Sequence, residues 1–131
     1  MSPLSHGDLR ELTGSLERFR HPLNHRVIYT PGVQYLAERA GAYWLLDVIA
    51  SYIGTSQMNA AIEADPRLGE MQFWHLDVRS DATATVLCRA DSGEPEAIRQ
   101  DIPFTDFPLD HADIWAAFDG EHWTLYLPSE H

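Results

Sequence analysis

Two pairs of residues stand at spacings that chemistry can use. His21 and His25 are four apart, a separation that converges on a metal ion when both side chains share a helix face. His75 and Asp77 are two apart within a stretch of period two, so both point to the same side of a strand. Together the four supply nitrogen and carboxylate donors for a metal, or an acid and a base for proton transfer. Pro22 falls inside the first pair and confines any shared helix to one that starts there. The plainer reading makes His75 and Asp77 polar residues of an exposed sheet face and puts His21 at a helix end or on a backbone carbonyl.

Other reactive groups point less far. Cys88 falls on an apolar strand face with Trp74, where a thiol is inert. Asp106 and Asp110 could act as acid and base if burial split their ionisation, but aspartates in such a loop more often close turns. Asp47 interrupts an apolar helix and needs a partner, a solvent-facing strip or a pocket; Arg20 and Arg26 are the expected partners. No serine stands in a nucleophile elbow and no glycine loop could cradle phosphate. No cofactor is expected.

Charge narrows the partners. Arginine supplies all nine basic residues against twenty acids, a net charge of −11. Residues 1–90 carry ten acids and eight arginines; residues 91–131 carry ten acids and Arg99 alone, a net of −9. Such a field repels nucleic acid and anionic lipid and draws basic partners. One cysteine rules out an internal disulfide and suits a reducing compartment. Residues 1–20 do not read as a signal peptide, and the apolar run over residues 40–53 is broken by Asp47 and too short to cross a bilayer. A cytoplasmic protein without membrane or direct nucleic-acid binding is expected.

The elements that must position these groups fit one domain over residues 1–131. Leu9, Leu12, Leu16 and Phe19 form a helical stripe, with Gly14 against it and His21-Pro22 as its stop. Residues 26–29 read as a short strand. Thr30-Pro31 opens one long helix running to Ile53, with Gly54 as its end, and Thr55 or Ser56 caps another over residues 56–64. From Met71 the period is two. Burial of one face selects a register with Val78 opposite Ala84, Leu76 opposite Val86 and Trp74 opposite Cys88. Residues 98–102 suggest a third strand. Asp119-Gly120 predicts a tight type I′ hairpin pairing Phe118 with Glu121, Ala116 with Trp123 and Ile114 with Leu125. Its reverse face then pairs Ala117 with His122, Trp115 with Thr124 and Asp113 with Tyr126. Helices before strands give an α+β fold: an antiparallel sheet of five to six strands, with a long central helix and one or two shorter helices packed on one face.

Four strings are familiar together: RHPL at 20–23, YTPGVQYLAERAGAYWLLDVIA at 29–50, FTDFPLD at 104–110 and LPSE at 127–130. They resemble an uncharacterised family of small bacterial proteins carried on chromosomes, plasmids and phages, a domain of unknown function. The stretch between Gly54 and Gly69 departs most from its pattern. The resemblance implies a bacterial, cytoplasmic protein of mobile-element origin, and by analogy an accessory or antagonist of host defence. It carries no activity, cofactor or catalytic residue.

The expected function is therefore non-enzymatic binding of a basic protein surface through the C-terminal half. Trp115 and Tyr126 are the anchors, Asp106, Asp110 and Asp113 supply charge, and His122 lies on the same face. The alternatives are a metal-dependent or acid/base enzyme around His21, His25, His75 and Asp77, and a homo-oligomer joined through the outer sheet face. That face is a binding surface unless the N-terminal stripe covers it.

Overall fold

The computed structural model describes residues 4–10 and 17–131. A short helix α1 (His6–Arg10) is followed by strands β1 (Phe19–Arg20) and β2 (Val27–Tyr29). Helices α2 (Pro31–Ala40), α3 (Tyr43–Tyr52) and α4 (Ser56–Ala64) come next, then a 3-10 turn, Pro66–Gly69. Strands β3 (Met71–Val78), β4 (Ala84–Arg89), β5 (Ile98–Ile102), β6 (His111–Phe118) and β7 (Trp123–Tyr126) complete the sheet, and a 3-10 turn, Pro128–Glu130, follows them. The fold is α+β, built on one seven-stranded sheet ordered β1-β2-β7-β6-β3-β4-β5.

Local chemistry accounts for most boundaries. The Thr30 hydroxyl accepts the Val33 N–H at 3.2 Å and Pro31 occupies the first helical turn, so α2 starts where the sequence says it should. Thr55 caps α4 in the same way through Met58 N–H at 3.2 Å. The period-two residues of β3 and β4 pair as expected, Trp74 with Cys88, Leu76 with Val86 and Val78 with Ala84. The apolar face of the sheet buries Trp74, Leu76 and Val86, with Ile114 of β6 and Leu125 of β7, against Val33, Leu36, Leu46 and Ile49 of α2 and α3. Each such aliphatic side chain contributes about 2 kcal/mol by leaving water. The Tyr52 ring meets Trp74 at 5.8 Å between centroids. Gln72, fully buried, accepts the Trp74 indole N–H at 2.9 Å and donates to the Leu68 carbonyl at 3.1 Å, so the core holds no stranded amide there.

The structure corrects four expectations. The long helix is two helices, because Gly41 adopts a left-handed conformation (φ 61°) and the Ala42 N–H turns back to the Ala37 carbonyl at 2.7 Å. Phe19 is not helical: it pairs with Tyr29 in β1, while Leu12, Gly14 and Leu16 lie outside the described residues. The sheet has seven strands and is mixed, since β2 lies parallel to β7 with Val27 beside Trp123. Finally, the last hairpin is not a type I′ turn. Asp119 Oδ1 accepts the N–H groups of Glu121 and His122 at 2.8 and 2.7 Å, which makes a four-residue loop closed by Asp119 N–H on the His122 carbonyl at 3.1 Å. Phe118 therefore faces Trp123, Ala116 faces Leu125, and Trp115 faces Tyr126. The slip is two residues, so the side chains that stay in the strands keep their faces, while Glu121 and His122 pass into the loop.

Candidate functional site

The side of the sheet away from α2 and α3 carries three rows of side chains fixed by strand register. Arg89, Phe73, Trp115 and Tyr126 make the first row, Leu87, His75 and Asp113 the second, and Thr85, Asp77 and His111 the third. Rings join the first row edge to face: Phe73 to Trp115 at 5.1 Å and Trp115 to Tyr126 at 6.1 Å. The C-terminal His131 extends it, stacked on Tyr126 at 5.8 Å and edge-on to Trp115 at 5.4 Å. Burial raises the Tyr126 phenol, which stays protonated and lies 3.5 Å from the Met71 sulfur.

In the second row, His75 Nδ1 lies 2.7 Å from Asp113 Oδ1. A carboxylate only accepts, so Nδ1 carries the proton and Nε2 is the second, available position. The Asp113 hydrogen bond raises the His75 pKa, against the opposing pull of burial. The third row ends in a further cluster. Asp110, just before β6, receives His111 Nδ1 at 2.9 Å and His6 Nε2 at 3.0 Å on one oxygen. Those two bonds hold the Asp110 carboxyl below the usual carboxylate range, the His6 bond being the larger cause.

Two hollows open over these rows. One, of about 520 Å³, is lined by Phe73, His75, Arg89, Asp91, Ser92, Gly93, Asp113, Trp115 and Pro128. The other, of about 330 Å³, lies beside α1 and is lined by His6, Leu9, Arg10, His111, Ala112, Asp113, Leu127, Pro128 and Ser129. Asp113 and Pro128 line both, so the two hollows adjoin on the outer face, and the larger one is the groove beside Trp115. Among the described residues, α1 covers one end of that face, anchored by the Ser129 hydroxyl on the Leu9 carbonyl at 2.9 Å.

The chain matches a family of unknown function, DUF6876, over residues 4–131. It belongs to the DUF6876 family. Comparison with curated proteins and with solved structures gives no match. In this DUF6876 chain the strings that carried the resemblance meet one another in space. His21 of RHPL reaches Asp47 of AYWLLD at 2.8 Å. Thr30 of YTPG donates to Glu130 of LPSE at 2.7 Å. Asp110, which closes FTDFPLD, receives the two imidazoles described above.

The residues expected at a functional site divide accordingly. Trp115, Tyr126 and Asp113 share the outer face, and Asp110 stands at its end. Asp106 is exposed in the loop between β5 and β6 and lines neither hollow. His122 sits in the hairpin loop, 4.0 Å from Glu121, because the slip puts Thr124 opposite Ala117 in its place. His75 and Asp77 do share a face, but His21 and His25 do not join them. His21 is buried against α3, on the other side of the sheet: Nδ1 accepts the N–H groups of Leu23 and Asn24 at 3.2 and 3.0 Å, which leaves Nε2–H to donate to Asp47. Both nitrogens are used, so His21 is a structural pin, and Asp47 pairs with it rather than with Arg20 or Arg26. His25 is exposed in the β1–β2 turn. Cys88 is fully buried and its thiol is pushed up to about 12, as its strand face implied. Phe73 and Arg89 were readable from the alternation of β3 and β4. His6 carries no local signal, since its partner lies 104 positions away.

Charge pairing on this half of the molecule is uneven. Arg67 reaches Glu94 at 3.6 Å, and Arg99 meets Glu96 and Asp101 at 3.6 and 3.3 Å. Asp113 in the groove and Asp110 just before β6 are met by imidazoles instead. Among the described residues, no helix is long and apolar enough to cross a membrane.

Proposed function

We propose that the outer sheet face is a docking groove for a basic segment of another protein. The observation that carries this reading is the joining of Trp115 and Asp113 in a groove within the acid-rich half of the chain. Phe73, Trp115 and Tyr126 offer ring surfaces on which a guanidinium or ammonium group is attracted to the π-electrons. Asp91 and Asp113 stand beside them as hydrogen-bonding anions. The net charge of −9 over residues 91–131 steers a basic partner toward this side and away from phosphate-bearing polymers and lipid. The reading includes a cytoplasmic setting, in keeping with a lone buried thiol, and the resemblance to mobile-element proteins suits an accessory or antagonist role.

Calorimetry with an arginine-rich peptide tests this. Binding is expected to weaken clearly between about 50 and 500 mM salt, and Trp115→Ala and Asp113→Asn should each reduce it at least about fivefold. Equal binding by these variants would overturn the reading. Sizing chromatography in the same series separates self-association: a dimer abolished by Trp115→Glu would assign the face to a second copy of the chain.

A second reading has its own support. His75 is oriented by Asp113 and borders a hollow of about 520 Å³, the arrangement of a general base with its positioning carboxylate. This replaces the acid/base set around His21 and His25. Arg89 would receive an anionic substrate group there. A peptide that binds His75→Ala as tightly as the parent protein, with no turnover of small anionic aromatic compounds, favours docking over catalysis.

A further inference from the structure

We propose that His6, Asp110 and His111 form a binding site for a divalent first-row transition-metal ion of the zinc type. Two imidazoles and one carboxylate converge: His6 Nε2 and His111 Nδ1 lie 3.0 and 2.9 Å from the same Asp110 oxygen, and the three donor atoms all fall within 4.8 Å of one another. A tetrahedral ion held by bonds of about 2.0–2.2 Å needs donors roughly 3.3 Å apart. The two Asp110 contacts fall a few tenths of an ångström short of that spacing, and the two nitrogens, within 4.8 Å of each other, adjust to it as the ion binds. The two rings stack at 4.3 Å with 23° between planes, so at least one of them turns about its side-chain bonds as both nitrogens take up the ion.

The donors are held by two separate parts of the chain, Asp110 and His111 by the end of β3 and His6 by the C-terminal turn. The Asp110 carbonyl accepts the Val78 N–H at 2.8 Å, which fixes the residue at the mouth of β6. His111 lies in β6 opposite Asp77, whose carboxylate faces the same side. α1, which carries His6, is tied to the C-terminal turn through Leu9 and Ser129. An exposed aspartate gains little from hydrogen bonds to a neighbouring ring and to one 104 positions away, so ion pairing alone gives a weak reason for this convergence. A metal supplies a stronger one. Two nitrogens and one carboxylate leave coordination positions free, and the neighbouring hollow of about 330 Å³ gives a water or an anionic ligand access to them.

The site differs from the one expected from sequence spacing. His75 and Asp77 flank it rather than bind, His75 stacking on His111 at 5.9 Å. The docking groove and this site share a face but rest on different residues.

The test uses the full chain after chelator treatment, titrated with cobalt(II) and then competed with zinc. One equivalent of cobalt is expected to bind with the visible absorption of a low-symmetry nitrogen and oxygen site. Asp110→Asn and His111→Ala should each weaken binding at least about tenfold, and His25→Ala should leave it unchanged. Paramagnetic broadening in the unsubstituted protein gives an independent readout: the His6 and His111 ring resonances should broaden before those of His21 and His25. No cobalt binding, binding insensitive to Asp110→Asn, or broadening centred on other histidines would each overturn the proposal.

Discussion

Glu130 lies across the start of α2, its Oε1 taking the Thr30 hydroxyl at 2.7 Å and the Leu127 N–H at 2.9 Å. The carboxylate occupies the space a side chain at residue 32 would need: a Cβ at Gly32 would sit 2.5 Å from that same oxygen. The negative group also meets the positive end of the helix dipole. The last residues of the chain, and with them the turn that anchors α1, are thus locked to the first turn of α2.

Gly32→Ala should therefore destabilise the protein by about 1–2 kcal/mol, because the methyl displaces Glu130 from both bonds. In a Glu130→Ala background the same change should stabilise by up to about 1 kcal/mol, since alanine is the better helix former. Urea denaturation of the four proteins reads the sign reversal; additive effects would show that the lock is absent.

The break between α2 and α3 is set by one residue. Gly41 holds φ at 61°, and a Cβ added there would meet no heavy atom within 4 Å, so the cost of Gly41→Ala is backbone strain alone. A loss of about 1–2 kcal/mol is expected, and equal stability would place the break elsewhere.

The His21–Asp47 contact should be energetically lopsided. His21 is buried and satisfies two backbone amides, whereas the Asp47 side chain is 62% exposed. His21→Ala should cost about 2–3 kcal/mol and Asp47→Ala less than about 1 kcal/mol, measured by thermal or chemical unfolding. Comparable losses would contradict the assignment of His21 as the pin.

The β6–β7 loop should be acid-sensitive. Backbone N–H groups of His122 and then Glu121 lower the Asp119 pKa in the folded chain. A group depressed on folding stabilises above its unfolded value of about 3.9 and loses that contribution as pH falls through the folded value. The stability difference between the parent protein and Asp119→Ala should be constant near neutrality and shrink below about pH 4. A difference that grows on acidification would contradict it.

What the sequence shows in advance follows from the range of the interactions involved. Thr30-Pro31, Thr55 and the alternation through β3 and β4 act over a few residues, and the two helix starts and the β3–β4 pairing appear as read. Gly41 was a helix-ending glycine inside an apolar stripe, and the stripe hid it. The hairpin slip turned on an aspartate side chain capturing two amides, which outweighed the Asp-Gly preference for a tighter turn. The parallel pairing of β2 with β7 joins residues nearly a hundred apart and leaves no local trace. At the site, Trp115, Tyr126 and Asp113 were legible because face assignment survives a two-residue slip. His6 and His131 were not, since only the folded chain brings its two ends to the outer face.

The most direct measurement is a chemical-shift map of the isotope-labelled protein with an arginine-rich peptide at low and high salt. Perturbations should concentrate on Phe73, His75, Asp113, Trp115 and Tyr126 and fade as salt rises. Shifts spread evenly over the acidic surface, or centred on the α2–α3 side, would contradict a docking groove on the outer face.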